Sequence, residues 1–382
     1  MCYRVARFNA NSDRANLNCN EDAENSNASL EVVQAQRTMK RYNHLFEKVY
    51  SLENLNCAWR KARKGKTKKK YVVEFERNLE NNLDQLKQEL ITQTYTPRKL
   101  NRFIIKDPKT RVIHSSYFRD RIVHHALVNI LEPIYERIFI SDSIASRKEK
   151  GALYGIRRFD KFKRKVSQNG KLIQHPFSNN SIQGFCLKAD IKHYFQTVNQ
   201  EILLTILSKK IKDKKVINLI KVILQTYGSS SFGMPLGNLT SQFFANVYLN
   251  ELDYFIKHKL EAKYYLRYVD DFVILHESKN QLEIWKQHIE LFLENRLKLS
   301  LHKQKSKIIP LSKGIDFVGF RNFYYFKLLR KRNIRIFKTK TSLFKKGLIP
   351  EQNFIELSKG WEAYSKWANT YNFRLSVLNN LE

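Results

Sequence analysis

The chain has 382 residues, too long for one small domain and long enough for two or three subdomains around a shared cleft. Its 42% hydrophobic and 13% aromatic content, with only 12 Gly and 7 Pro, excludes a fibrous or low-complexity chain. Lys and Arg total 69 against 36 Asp and Glu, and a net charge of +33 repels itself unless a polyanion neutralises it; nucleic acid is the usual one, and the plainer reading is a very soluble basic protein or one that binds acidic membrane surfaces.

The four cysteines, Cys2, Cys19, Cys57 and Cys186, are dispersed without metal-ligand spacing. That pattern predicts no disulfide framework and fits a reducing cytoplasm. No run of about 18 apolar residues exists, so no membrane span is expected, and the N-terminus lacks the apolar region of a signal peptide; with nucleic acid favoured to neutralise the charge, no membrane partner is expected.

Residues 1–38 are rich in Asn, carry four basic and five acidic residues, and show little periodicity. They read as a disordered leader or an extension upstream of a start at Met39. From there to about residue 95 the spacing is helical: Leu45, Phe46 and Val49, then Phe75, Leu79, Leu83, Leu86 and Leu90. The run Arg60 to Lys70, eight basic residues in eleven, is read as a loop between helices, either simply solvated or contacting phosphates. Phe103-Ile104-Ile105 and Arg111-Val112-Ile113 are strand-like around a turn at Asp107-Pro108-Lys109-Thr110.

A helix is expected from about Asp120 to Ile138, and a loop or insertion over 160–183. Phe185 to Ala189 reads as a buried strand ending at Asp190. Residues 241–260 and 281–297 are helical in pattern, and Tyr264 to Leu275 reads as a hairpin of two apolar strands with Val269-Asp270-Asp271 at its tip. After Ile315 to Phe320 the chain turns basic and then helical to its end. Trp361, Tyr364, Trp367 and Ala368 fall at helical spacing and are read as core rather than as a base-stacking platform, while Lys327 and Arg330 to Arg335 are candidates to face a nucleic-acid duplex. The order of elements predicts an α+β protein with a mostly antiparallel central sheet.

Two adjacent carboxylates between apolar strands, Asp270 and Asp271, are costly unless something offsets their charge. A hard divalent cation suits such oxygen donors. A second apolar strand also ends in an acid, Asp190; if the two strand ends meet, three carboxylates can hold two metal ions about 4 Å apart. One would activate a primer 3′-hydroxyl and the other would stabilise departing pyrophosphate. The competing reading makes Asp270-Asp271 an ordinary turn dipeptide.

Tyr268-Val269-Asp270-Asp271 resembles the Tyr-x-Asp-Asp signature of reverse transcriptases. Asp190-Ile191-Lys192-His193-Tyr194-Phe195 resembles their upstream motif, which implies Phe195 as a steric gate against ribonucleotides; core packing beside Tyr194 is the plainer role. Lys106 and Arg111 match the basic residues of a fingers hairpin that grips the incoming triphosphate, a task Arg suits through bidentate contact. Leu297 to Lys305 resembles a later motif with a lysine near pyrophosphate, assigned to Lys305 over Lys303, and Gly314 to Phe320 resembles the primer-grip hairpin. These matches run in the family's order over about residues 40 to 380. The resemblance implies a right-hand fold of fingers, palm and helical thumb, two Mg²⁺ ions with Mn²⁺ as substitute, deoxynucleoside triphosphates, an RNA template and a DNA or RNA primer. The implied divisions are 1–38 leader, 39–183 N-terminal helices and fingers, 184–310 palm, and 311–382 primer grip and thumb.

Gly233-Met234-Pro235-Leu236-Gly237-Asn238-Leu239-Thr240-Ser241-Gln242 narrows the resemblance. Most reverse transcriptases carry Gln where Leu236 stands and Pro where Gln242 stands. Leu236-Gly237 with Ser241-Gln242 is similar to the enzymes of diversity-generating retroelements, as are Arg119 to Leu127 and Phe139 to Ser143. That family copies a template-repeat RNA with misincorporation opposite adenines, in the cytoplasm of bacteria or archaea or from phage genes, and works with a small basic accessory oligomer. Leu236 removes hydrogen-bonding groups from the nascent base-pair site, and each 1.4 kcal/mol of lost discrimination is about tenfold; the plainer reading is that Leu236 only packs. A retron, group II intron or phage-defence enzyme of ordinary fidelity is the nearest alternative, and a catalytically inactive RNA-binding scaffold the alternative of another class. No Cys/His-rich endonuclease or ribonuclease H segment is expected after the thumb.

Overall fold

A computed structural model describes residues 40–106, 110–174, 181–227 and 231–379. Residues 42–382 form one compact unit. The expected leader and most of the turn at 107–110 lie outside the described residues.

The chain opens on four helices, α1 (Phe46–Tyr50), α2 (Leu52–Arg63), α3 (Lys70–Glu76) and α4 (Leu79–Ile91). Ser51 caps α2 by accepting from the Asn54 amide. Part of the basic run is not loop: Arg60, Lys61 and Arg63 form the last turn of α2, where cations complement the helix dipole. Leu55, Val72 and Leu86 are shut away from solvent, each adding about 1.5–3 kcal/mol of burial. An antiparallel hairpin follows, β1 (Asn101–Ile105) and β2 (Arg111–Ser115), whose Phe103, Ile104 and Ile105 stay exposed.

Helix α5 (Phe118–Glu136) is buried nearly all round and packs against α2. Next is α6 (Ala152–Val166), which corrects the loop expected from 160. Ile156, Phe159, Phe162 and Val166 supply a helical apolar stripe that the dense basic residues of the outer face obscure in the sequence. The chain then enters β3 (Phe185–Asp190), the short α7 (Tyr194–Thr197), α8 (Gln200–Ser208), α9 (Lys214–Gln225) and the long buried α10 (Leu239–Tyr254). Asp213 caps α9 and also accepts from the Leu45 and Phe46 amides at 2.8 Å, tying α9 to α1.

A hairpin of β4 (Tyr264–Tyr268) and β5 (Asp271–His276), then α11 (Lys279–Leu297) and β6 (Lys307–Pro310), complete a four-stranded antiparallel sheet in the order β4-β5-β3-β6. A separate three-stranded sheet joins β7 (Ile315–Phe317), β8 (Phe320–Asn322) and β9 (Lys327–Leu329). The helices α12 (Lys331–Lys345), α13 (Glu351–Ser365) and α14 (Tyr371–Asn379) follow. Trp361, Tyr364, Trp367 and Ala368 pack against Ile156, Phe320 and Leu329, so the aromatic stripe is core. Among the described residues no helix is long and apolar enough to cross a membrane.

Candidate active site

β3 lies beside β5 with Asp190 directly opposite Asp271, so the ends of two apolar strands carry facing acids. The β4–β5 turn adds Asp270, whose carbonyl accepts from the Ile191 amide at 3.1 Å just beyond the end of β3. The turn begins at Val269, which sits at a φ of +55°, a left-handed conformation that β-branched residues avoid. Three carboxylates thus gather at one rim, each from a strand end or tight turn.

Burial sets their electrostatics. It pushes the Asp271 carboxyl up to about 6, with the Asp190 and Asp270 charges adding and Lys188 opposing. It also raises Asp270, aided by the Asp190 charge and opposed by a hydrogen bond from its own backbone, by Lys305 and by Arg111. Among the described residues no group of three or more His, Cys, Asp or Glu side chains stands in metal-holding geometry. Instead Lys305 Nζ bonds Asp190 Oδ1 at 2.7 Å and Lys188 Nζ reaches Asp271 Oδ2 at 3.4 Å. The other Asp271 oxygen, Oδ1, is buried with no hydrogen-bond partner. An orphaned anionic oxygen among hard oxygen donors fits a divalent cation, which Asp190, Asp270 and Asp271 would hold.

The predicted nucleotide-facing residues fall on segments tied to this rim. Tyr194 is buried, with its hydroxyl donating to the Ala245 carbonyl at 2.8 Å, while Phe195 remains half-buried and edge-on to the Tyr194 ring. The Phe195 carbonyl accepts from the Met234 amide at 2.7 Å, which fixes the strap 233–238 beside it. The Leu236 carbonyl in turn accepts from the His114 amide of β2 at 2.9 Å, and Asn238 Oδ1 from the Ser116 amide at 3.1 Å. Gly237 has a φ of +123°, and a Cβ there would lie 2.7 Å from an Ile113 methyl. Leu236 is half-buried; Gln242, on the first turn of α10, is exposed with Oε1 3.5 Å from Ser146 Oγ.

Lys106 and Arg111 flank the tip of the β1–β2 hairpin and are exposed. Arg111 acts on Asp270 electrostatically. Lys327, a candidate to face a duplex, pairs with Asp160 at 2.7 Å.

Two residues at the site escaped the sequence reading. Lys188 lies two positions before Asp190 on the same face of β3, and its Nζ also donates to the Asp316 carbonyl at 2.6 Å. Arg267 is fully buried under the turn. Its signal was a lone charge inside the apolar strand Tyr264 to Tyr268, a position that demands a buried partner.

The family described as reverse transcriptase (RNA-dependent DNA polymerase) matches residues 104–322. Protein YkfC of Escherichia coli K12 is 25% identical over 292 residues, which cover 66% of this chain and 72% of that protein. The group II intron-encoded protein LtrA of Lactococcus lactis subsp. cremoris is 24% identical over 313 residues, covering 63% of this chain and 49% of LtrA, so the chain spans about half of that relative. A solved telomerase from Candida albicans, in complex with a fragment of telomeric RNA, superposes at a TM-score of 0.43 with 12% identity, over 71% of this chain and 54% of that one. The mixed architecture, an antiparallel sheet bearing the carboxylates with helices packed around it, is the right-hand polymerase fold. The chain belongs to the reverse transcriptase family of RNA-dependent DNA polymerases.

Proposed function

We propose that the chain copies a template-repeat RNA into cDNA mutagenised at adenines, for targeted gene diversification. The observation that carries the polymerase reading is the pairing of Asp190 with Asp271 across β3 and β5, with Asp270 in the adjoining turn. In this reading 39–183 form the N-terminal helices and fingers, 184–310 the palm, and 311–382 the primer grip and thumb.

Asp190, Asp270 and Asp271 would hold Mg²⁺, with Mn²⁺ as substitute. When bound, such ions favour ionisation of the primer 3′-hydroxyl and neutralise charge on the leaving pyrophosphate. Lys188 and Lys305 balance the carboxylates, and Lys305 stands ready to meet pyrophosphate charge as the reaction proceeds. Arg111 and Lys106 grip the triphosphate from the hairpin, and Phe195 excludes a ribose 2′-hydroxyl. The dispersed Lys and Arg of a chain at +33 supply sequence-independent affinity for template and primer.

The mutagenic part rests on Leu236, Gly237 and Gln242. The strap is bonded to both the Phe195 segment and β2, so the side chain at 236 belongs to a segment bridging the proposed gate and fingers. An aliphatic residue there offers no hydrogen bond to the nascent pair, which narrows the gap between right and wrong nucleotides. A group II intron-like reverse transcriptase of ordinary fidelity is the second reading, favoured by the similarity to LtrA.

The test is extension of a DNA primer on a mixed-sequence RNA with Mg²⁺ and four deoxynucleotides, in the cytoplasm-like reducing conditions that the unpaired Cys57 and Cys186 suit, with product sequencing. Errors concentrated opposite adenine that fall in Leu236→Gln support the proposal. Uniformly accurate products leave the polymerase and remove the mutagenic role. The assay is run with and without the small basic accessory protein that the diversity-generating reading expects.

A further inference from the structure

Arg267 immediately precedes the Tyr268 to Asp271 segment, and its side chain is fully buried. A guanidinium has five N–H donors, and the structure satisfies the fork with five bonds. Nε donates to Asp253 Oδ1 at 2.7 Å and Nη2 to Oδ2 at 2.5 Å. Nη2 also donates to Ser143 Oγ at 2.9 Å, while Nη1 reaches Asn246 Oδ1 at 3.3 Å and the Val269 carbonyl at 3.0 Å.

Burying an ion pair this deeply is a poor way to gain stability, because well-packed apolar residues often serve as well or better. The bond to Val269 offers another reason. Val269 is held at a positive φ although a branched Cβ disfavours it, and the peptide that follows carries Asp270. Arg267 grips that peptide from beneath at its carbonyl, and the Ile191 amide grips the next one from the end of β3. The turn is pinned on both sides.

The same guanidinium reaches beyond the turn. Asp253 and Asn246 lie on α10, the helix that begins at the Leu236 strap. The backbone of Arg267 pairs with the 142–144 segment, its amide with the Asp142 carbonyl at 2.9 Å and its carbonyl with the Ile144 amide at 3.0 Å. Asn246 Nδ2 bonds the Ala145 carbonyl at 2.8 Å, and Gln242 stands one helical turn before Asn246.

We infer that Arg267 is a positioning residue: it holds the Val269–Asp270 peptide in its left-handed turn, so that Asp270 and Asp271 stay opposite Asp190, and it fastens that turn to α10. The inference rests on the reading of those three acids as the metal-binding carboxylates.

The experiment uses the full chain and the variants Arg267→Lys, Val269→Gly and their double. It measures kcat and KM for deoxynucleotide on an RNA template, melting temperature, and Mn²⁺ binding by electron paramagnetic resonance without nucleotide. Lysine keeps the charge toward Asp253 but cannot span the fork to the Val269 carbonyl. Arg267→Lys is expected to lose about 10- to 100-fold in kcat, the scale of a small misplacement, with weaker Mn²⁺ binding and KM changed less. Glycine at 269 takes a positive φ freely, so the double variant regains most of the kcat and Mn²⁺ binding, while its melting temperature stays at that of Arg267→Lys. A residue that only stabilised the fold would show no such recovery. Loss of melting temperature with kcat and Mn²⁺ binding intact, or no recovery in the double variant, overturns the inference.

Should Arg267→Lys fail to fold, Asn246→Ala loosens the same Nη1 and leaves the Asp253 pair in place. It is expected to lower kcat and Mn²⁺ binding several-fold, again restored by Val269→Gly; unchanged values overturn the inference. Asp270→Asn separates the two levels of the argument. If it still synthesises DNA, the carboxylate reading fails; if it is inactive while the Arg267 and Asn246 variants behave as wild type, only the positioning role fails.

Discussion

Gly237→Ala turns the strap into a measurable quantity. A φ of +123° is open to glycine alone, and holding alanine there costs on the order of 1–3 kcal/mol. The new Cβ would also lie 2.7 Å from the Ile113 methyl and 3.4 Å from the His114 carbonyl oxygen. The methyl cannot retreat freely, because His114 and Ser116 bond the strap through their amides. Together these place the loss at about 3 kcal/mol. With an unfolding entropy near 2.1 cal/mol/K per residue over the roughly 340 residues of the unit 42–382, that loss lowers the melting temperature by about 4 °C. The displaced hairpin also shifts Arg111, so KM for deoxynucleotide rises several-fold. Calorimetry and steady-state primer extension on Gly237→Ala check both effects. Ile113→Ala in the same background removes the overlap but not the backbone strain, and recovers part of the loss. A melting temperature and KM equal to wild type would refute the reasoning; full recovery in the double variant would remove the backbone contribution.

Asp270→Ala abolishes synthesis while leaving RNA affinity near wild type in a filter-binding assay, since affinity rests on dispersed cations; parallel loss of both would end that division of labour. Phe195→Ala relaxes the exclusion of ribonucleotides, read as the ratio of kcat/KM for deoxy and ribo substrates, and an unchanged ratio removes Phe195 as the gate. His124, buried against Thr240, is depressed to about 3 by burial first and then by the charges of His125 and Arg121. Its folded value lies below the unfolded value of about 6.5, so the unfolded chain binds a proton first as pH falls. Its contribution is therefore complete above pH 6.5 and declines toward pH 3, by about 1.4 kcal/mol between pH 7.5 and 5.5. Melting curves at those two values should differ less in His124→Gln than in wild type; an equal difference would show that His124 is not the titrating group.

The acids of the site were legible because a carboxylate at the end of an apolar strand is costly and therefore conspicuous. Asp190, Asp270 and Asp271 met that description, and the structure brings them together. Lys305 was legible as a site lysine, but Lys188 and both ion pairings were not, because pairing Lys188 with Asp271 and Lys305 with Asp190 joins residues 83 and 115 positions apart. Local patterning has no access to such distances. The helices α8 and α9 went unremarked between two motifs, although Asn199 and Asp213 stand at their N-caps. Helix α6 was masked by its own solvent face, since Arg157, Arg158, Lys161 and Arg164 crowd out the apolar stripe to the eye but not to the fold. The segment 233–242 stands out in the sequence for its departures from the wider family's pattern at Leu236 and Gln242; that residues 233–238 span from Phe195 to β2 could come only from three dimensions.

The caps and packing of α1 to α5 have a consequence for what counts as the smallest autonomous piece of this chain. The match to the family spans residues 104–322, yet Asp213, well inside that span, spends one carboxylate oxygen on the amides of Leu45 and Phe46. Asn54 bonds the Ala126 carbonyl across to α5, and the core that starts at Leu45 runs unbroken to Leu301. A fragment cut at the similarity boundary would strip the cover from α5 and leave buried polar groups facing water or nothing. The matched span and the cooperative unit have different edges here, and stability follows the second.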